Sequence, residues 1–269
     1  MTKSDLQWGI PPRNVRLSEN EVHVWRAALE VSVEVLGGLQ RLLSEEEVTR
    51  AQRFHFEKDR SHFIVAHGVL RIILGRYLNA DPSQLRFCYN HYGKPSLDLP
   101  FDKSKLNFNL SHSHEIALYA FTYAKQIGID VEHMRSDIEY ERLAKHSFSL
   151  NEQAALHALP QALKQQAFFN CWTRKEAYIK ARGTGLSLPL DLFDVSLRPG
   201  EPAVLLSSRE DSQETVRWSL QDFDPGSGYA GALAVEGSGR HLSCWQWQSR
   251  GRTRSAPVCL SRSCLKGRT

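Results

Sequence analysis

No apolar run in this 269-residue chain approaches the roughly 18 residues needed to cross a bilayer, so no membrane-spanning helix is predicted. The opening residues Met1-Thr2-Lys3-Ser4-Asp5 lack the apolar stretch of a secretory signal. Cysteine is scarce: Cys88, Cys171, Cys244, Cys259 and Cys264 are odd in number, scattered, and contain no Cys-x-x-Cys. This argues against a disulfide framework or a zinc site and for reduced thiols in a cytoplasmic protein. No Gly-x-x-x-x-Gly-Lys-Ser/Thr loop occurs, which argues against a nucleotide-dependent phosphotransferase or hydrolase. Nor is there a Gly-x-Ser-x-Gly elbow, so Ser111 beside His112 does not read as a hydrolase pair. Acid is absent from the last twenty residues, which hold the cations Arg250, Arg252, Arg254, Arg262, Lys266 and Arg268. Taking these six from the 34 basic residues leaves 28 against 30 acidic ones, a net of −2 for the body. The body is therefore a poor nucleic-acid binder. The tail, 250–269, is expected to be a solvated, disordered end, with polyanion binding as the alternative.

What is present is a folded chain of ordinary make-up, 41% hydrophobic and 10% aromatic, long enough for one large domain or two small ones. A first strand is expected at 22–25. Ser44 and Glu47 form a capping box, and apolar positions from Phe63 to Leu74 predict a long helix over 59–78. Asp81-Pro82 starts a short helix, 86–89 is read as a strand and 90–95 as a loop. Strands are expected at 106–110, 116–121 and 127–131, a second capping box at Ser149 and Glu152, and a long helix over 162–182 stopped by Gly183. Further strands are expected at 193–197, 216–220, 229–235 and 242–247. Strand, helices and strands thus come twice, predicting an α+β fold of two similar subdomains joined near 122–126. The first runs over 1–123 and the second over 124–249.

Two segments carry chemistry. In Gly128-Ile129-Asp130-Val131-Glu132, strand alternation puts Asp130 and Glu132 on one face and Ile129 and Val131 on the other. In the helix Trp172-Thr173-Arg174-Lys175-Glu176-Ala177-Tyr178-Ile179-Lys180, Glu176 and Lys180 are neighbours on one side. Three carboxylates beside a lysine suit a hard divalent cation that holds a phosphate, because magnesium keeps room for phosphate oxygens and water. Asp130, Glu132 and Glu176 are the candidate metal ligands.

Four motifs in order, Tyr92-Gly93-Lys94-Pro95, Phe108-Asn109-Leu110-Ser111-His112, Gly128 to Glu132, and Trp172 to Lys180 followed by Gly183-Thr184-Gly185-Leu186, resemble the larger, Sfp-type phosphopantetheinyl transferases. The resemblance implies a pseudo-twofold pair of subdomains with the active site in the cleft between them. It implies coenzyme A as co-substrate, Mg2+ as cofactor and an apo acyl or peptidyl carrier protein as partner. A carrier serine would attack the phosphorus nearer the pantetheine, and 3′,5′-ADP would leave. It further implies Glu176 as base or metal ligand, Lys180 on the reacting phosphates, and Asp130 beside them. Tyr92, Gly93, Lys94 and Pro95 would cradle the adenine, with Lys94 able to reach a phosphate or ribose-side anion. Ser111 and His112 would meet the coenzyme A phosphates, with His112 near the 3′-phosphate. Arg50, Arg53, Arg60 and Arg71 are candidates for the same phosphate, Arg50 by its match to a basic family position, while Arg53 and Arg71 stand open between ligand contact and structural ion pair. His62 and His67 stand where relatives often carry arginine. The segment 140–148, with Arg142, Leu143, Lys145, His146 and Phe148, is the candidate carrier surface, core packing being the alternative for Leu143 and Phe148. A monomer is expected. The rival reading is a non-catalytic scaffold that binds coenzyme A or a carrier protein.

Overall fold

The computed structural model describes residues 7–249, so the basic tail at 250–269 lies outside the described residues. Strand β1 (Glu21–Ala28) leads into three helices, α1 (Val33–Gln40), α2 (Glu45–Gln52) and α3 (Glu57–Leu78). A small hairpin follows, β2 (Phe87–Tyr89) with β3 (Pro95–Leu97), and then the long pair β4 (Leu106–Ser113) and β5 (Ile116–Tyr123). The succession repeats. Strand β6 (Ile127–His133) leads into α4 (Tyr140–Ser147), α5 (Leu150–His157) and α6 (Gln161–Arg182). The hairpin β7 (Phe193–Val195) with β8 (Leu205–Ser208), a single turn α7 (Glu214–Arg217) and the pair β9 (Trp218–Phe223) and β10 (Tyr229–Glu236) complete it. Both α3 and α6 are 22 residues long, and each is the helix packed on its own sheet. This is the α+β, two-subdomain arrangement expected from the sequence.

The first sheet has the order β11-β1-β5-β4 and the second β6-β10-β9. Strand β11 (His241–Gln246) is the one described strand outside the repeat. It runs parallel to β1, pairing Glu21 with His241 through Arg26 with Gln246, so residues in the sequence-defined second unit complete the first sheet. The two sheets meet on apolar faces. Val22, Val24, Leu118 and Ala120 of the first bury against Ile127, Ile129, Val131 and Leu233 of the second. Each sheet's other face carries its own helical core, with Phe63, Val69 and Ile73 in one and Phe168, Tyr178 and Ile179 in the other. Burying such side chains stabilises by about 1.5–3 kcal/mol each.

Both capping boxes form, with Ser44 on the Glu47 amide and Ser149 on the Glu152 amide. Helix α1 was not expected: Gly37-Gly38 depress helix propensity, and the helix is held by its Ser32 cap and by packing of Leu39 in the first core. The expected strand at 216–220 starts later, because Glu214 to Arg217 form a helical turn and β9 begins at Trp218. The expected strand at 193–197 is shorter, and the segment read as a loop to Pro95 ends in β3. Among the described residues no helix is long and apolar enough to cross a membrane.

Candidate active site

Gly128 sets the depth of the site. A Cβ built there would collide with the carbonyl of Ala177 and the amide of Ala181, both backbone atoms of α6. With only hydrogen at that position α6 lies directly on β6, and Glu176 and Lys180, one turn apart and each preceding one of those alanines, are brought to the side of Asp130. The alternation on β6 holds: Ile129 and Val131 enter the inter-sheet core while Asp130 and Glu132 face away from it.

Lys180 Nζ lies 2.6 Å from Asp130 Oδ1 and 3.1 Å from Ser111 Oγ. Asp130 is 2% exposed, and its Oδ2 is buried with no hydrogen-bond partner among the described residues. Burial raises the Asp130 pKa against the pull of Lys180 and the Ser111 hydroxyl. Burial and then the Asp130 charge raise Glu132. Glu176 is pushed up to about 7, first by burial and then by Asp130, with Lys180 opposing. Burial works to lower Lys180, but Asp130, then Glu176 and Glu132, more than offset it and hold its proton. Glu176 has no hydrogen bond or ion pair to another described side chain.

Three carboxylates all raised by burial, two of them also by the Asp130 charge, are what a site short of positive charge looks like. The donors are all hard oxygens, and one buried oxygen lacks a partner, so the set fits a hard divalent cation. Among the described residues no three His, Cys, Asp or Glu side chains form a ready-made cation cage. The Lys180 ammonium, not a third carboxylate, stands against Asp130.

Beside the acids opens a cleft of about 280 Å³, walled by residues 92–95 on one side and by Glu176, Lys180 and Gly183 on the other. The loop is built by Asn90, whose Oδ1 accepts the amides of Tyr92 and Lys94, each at 2.9 Å, while its Nδ2 donates to Gly183 O at 2.7 Å. Gly93 takes φ +82°, which glycine adopts without strain. Tyr92 is exposed at the rim, and Pro95 opens β3. Lys94 turns inward. Its ammonium donates to Ile127 O at 3.0 Å, Ala181 O at 2.9 Å and Gln126 Oε1 at 3.3 Å, and burial lowers its pKa to about 8. The group expected to reach an anion therefore clasps the end of α6 to the loop of the first subdomain.

The remaining candidates divide. Ser111 is buried and saturated: it donates to Asp130 Oδ1 at 2.9 Å and accepts from the Val131 amide and from Lys180. His112 is exposed in the next position. Arg50 on α2 and Arg53 at its C-terminal cap are exposed, Arg50 over the Phe63 ring at 5.5 Å. Arg71 is fully buried and paired with Glu47 at 2.7 Å, which makes it a structural ion pair. Lys175 is likewise buried, 2.8 Å from Glu152 and bonded to the carbonyls of Leu190 and Phe193. In 140–148, Phe148 is core at 2% exposure, while Arg142, Leu143, Lys145 and His146 lie at the surface. Ser113, whose hydroxyl donates to Glu132 Oε2 at 2.9 Å, went unnoticed in the sequence. Its signal was the polar stripe Asn109, Ser111, Ser113 at period two, which carries the alternation of the strand expected at 106–110 on to Ser113, where β4 ends.

Comparison with known proteins gives the family of the chain. The family model described as the 4′-phosphopantetheinyl transferase superfamily matches residues 126–234, and the N-terminal 4′-phosphopantetheinyl transferase model matches 30–123. The 4′-phosphopantetheinyl transferase HetI of Nostoc sp. (strain PCC 7120) is 41% identical over 240 residues, covering 89% of this chain and 98% of that one. The 4′-phosphopantetheinyl transferase Sfp of Bacillus subtilis is 34% identical over 186 residues, 68% of this chain and 79% of that one. A solved Chronobacterium ammoniagenes ACPS-CoA complex shares 18% identity and a TM-score of 0.31, over 43% of this chain and 98% of that one.

Proposed function

This chain belongs to the 4′-phosphopantetheinyl transferases, and from that premise we propose that it moves the 4′-phosphopantetheine arm of coenzyme A onto a serine of an apo acyl or peptidyl carrier protein. The new bond joins the serine Oγ to the phosphorus nearer the pantetheine. The bond from that phosphorus to the bridging oxygen breaks, the electron pair leaves with 3′,5′-ADP, and the serine proton goes to a base. The observation that carries this reading is the convergence of Asp130, Glu132, Glu176 and Lys180 beside the cleft walled by 92–95.

Asp130, Glu132 and Glu176 would hold Mg2+, which when bound supplies positive charge to the pyrophosphate. Lys180 brings a fixed ammonium to the same place and keeps its proton there. Glu176, with no hydrogen bond or ion pair to another described side chain and with its pKa raised to about 7 by burial and then by Asp130, is the residue suited to accept the serine proton, directly or through water. The exposed loop at Tyr92 and Gly93 offers backbone and ring to a flat adenine, with Lys94 and Pro95 stiffening it. Arg50 and Arg53 are exposed cations for the 3′-phosphate, while His112, its pKa lowered to about 4 first by desolvation and then by His67 and Lys180, would meet it as a neutral hydrogen-bond donor. The body's slightly acidic balance is interrupted on α4 by Arg142, Lys145 and His146 around Leu143, a surface that suits an acidic carrier. The enzyme would act as a cytoplasmic monomer.

The test is the intact mass of an apo acyl carrier protein after incubation with this protein, coenzyme A and Mg2+. A gain of one phosphopantetheine, abolished by Asp130→Ala and by omitting the metal, is expected. Coenzyme A binding without transfer to any of several unrelated carriers would replace the enzyme with a binding scaffold.

A further inference from the structure

Strand β6 is an edge. Its pairing with β10 leaves the amides of Ile129, Val131 and His133 pointing away from the second sheet, with no backbone partner among the described residues. Such an edge must be covered or paired. Here it is covered by side chains of β4, the edge strand of the other sheet. Ile129 N donates to Asn109 Oδ1 at 2.9 Å, Val131 N to Ser111 Oγ at 3.4 Å and His133 N to Ser113 Oγ at 3.1 Å. Three acceptors at period two stand in for a missing strand. Two of the three do more. A hydroxyl has one proton to give, and an ionised carboxylate can only accept. Ser111 gives its proton to Asp130 Oδ1 and Ser113 gives its own to Glu132 Oε2, both at 2.9 Å. The same device thus occurs twice in register, amide to hydroxyl to carboxylate, on the two acids that share a face of β6.

We propose that Ser113 is a positioning residue for the metal-binding acids: it fixes Glu132 against the first sheet as Ser111 fixes Asp130, so that the spacing of the two carboxylates is set by the docking of one subdomain on the other. This rests on the transferase reading only in naming what the acids hold. The Ser113 hydroxyl is pinned from one side by an amide that cannot rotate, so its proton has one direction left. Glu132 Oε2 is taken, and Oε1 has no partner among the described residues. Removing the hydroxyl frees the Glu132 side chain to sample other rotamers and leaves the His133 amide uncapped. Partners of this kind, one step out from a metal, are typically worth about 10–100-fold in metal affinity.

The experiment titrates Mn2+ into the full-length protein without coenzyme A, following free Mn2+ by electron paramagnetic resonance, for wild type, Ser113→Ala, Ser113→Thr and Ser113→Cys. The alanine and cysteine variants should bind Mn2+ about 10-fold more weakly or worse, and the threonine variant, which keeps the hydroxyl, within about 2-fold of wild type. In carrier loading, the Mg2+ concentration for half-maximal rate should rise in parallel, while the KM for coenzyme A and the rate at saturating Mg2+ change little. Should the alanine variant not fold, the threonine and cysteine pair still decides. Unchanged Mn2+ affinity in Ser113→Cys or Ser113→Ala overturns the proposal, as does a threonine variant as weak as alanine. Wild type that binds Mn2+ but loads no carrier refutes the transferase reading and leaves Ser113 to be judged by the titration; wild type that binds no Mn2+ refutes the positioning role itself.

Discussion

Glu47→Gln should destabilise the protein by about 3 kcal/mol at neutral pH, and most of that penalty should vanish in acid. Glu47 is 2% exposed at the third position of α2, where its carboxylate closes the capping box by accepting the Ser44 amide at 2.9 Å. It also accepts from Arg71 Nε at 2.7 Å, with Arg71 Nη2 in ion-pair contact at 2.7 Å, and faces His67 Nδ1 at 3.2 Å. Burial alone would raise its pKa, but His67, the Ser44 amide and Arg71 together carry it down from 4.5 to about 2. A carboxyl that titrates near 2 when folded and at 4.5 when unfolded contributes about 3 kcal/mol at pH 7. Because the folded value is the lower one, that contribution is complete above pH 4.5 and is lost as pH falls toward 2; about 2 kcal/mol of it is gone by pH 3. Glutamine keeps the shape but leaves Arg71, which is fully buried, without a counter-charge, a change of about 3–5 kcal/mol where it has been measured elsewhere. Urea unfolding of both proteins at pH 7 and pH 3 reads the difference directly. A penalty under about 1 kcal/mol at pH 7, or one equal at the two pH values, would refute the reasoning.

Gly128→Ala should be more damaging than its size suggests, since the new methyl meets the backbone of α6 at Ala177 and Ala181; a loss of soluble yield or a fall of about 3 kcal/mol is expected, and a wild-type melting temperature would contradict it. Lys94→Met should fray the last turn of α6 by releasing the Ala181 carbonyl, seen as about 10-fold faster amide exchange over residues 180–183, while exchange in the middle of α6 stays as it was.

Much of the site was readable because it lies in local pattern. Alternation separates Asp130 and Glu132 from Ile129 and Val131, and a four-residue step joins Glu176 to Lys180. Both capping boxes are contained within four residues. What escaped depends on partners far away in the chain. Lys94 looks like an anion ligand by residue type, and only the positions of the Ile127 and Ala181 carbonyls, 33 and 87 residues on, show its ammonium engaged. The Glu47 and Arg71 pair is 24 residues apart on two helices whose docking no local rule gives. Ser113 reads as an ordinary strand serine until β6 is laid beside it. Helix α1 contradicts the propensity of its two glycines, and tertiary packing overrides them.

The return of β11 to the side of β1 bears on how this protein can be recombined with its relatives. A chimera cut once near residue 124 would take its first sheet from two parents, with β1 from one meeting β11 from the other across six paired positions. Trp25 beside Trp245 and Val24 beside Cys244 would then have to match between sequences that never evolved together. A second crossover in the turn at 237–240, which lets residues 241–249 travel with the first block, keeps those partners from one parent. Shuffled libraries built with both cuts should yield more folded progeny than libraries built with one.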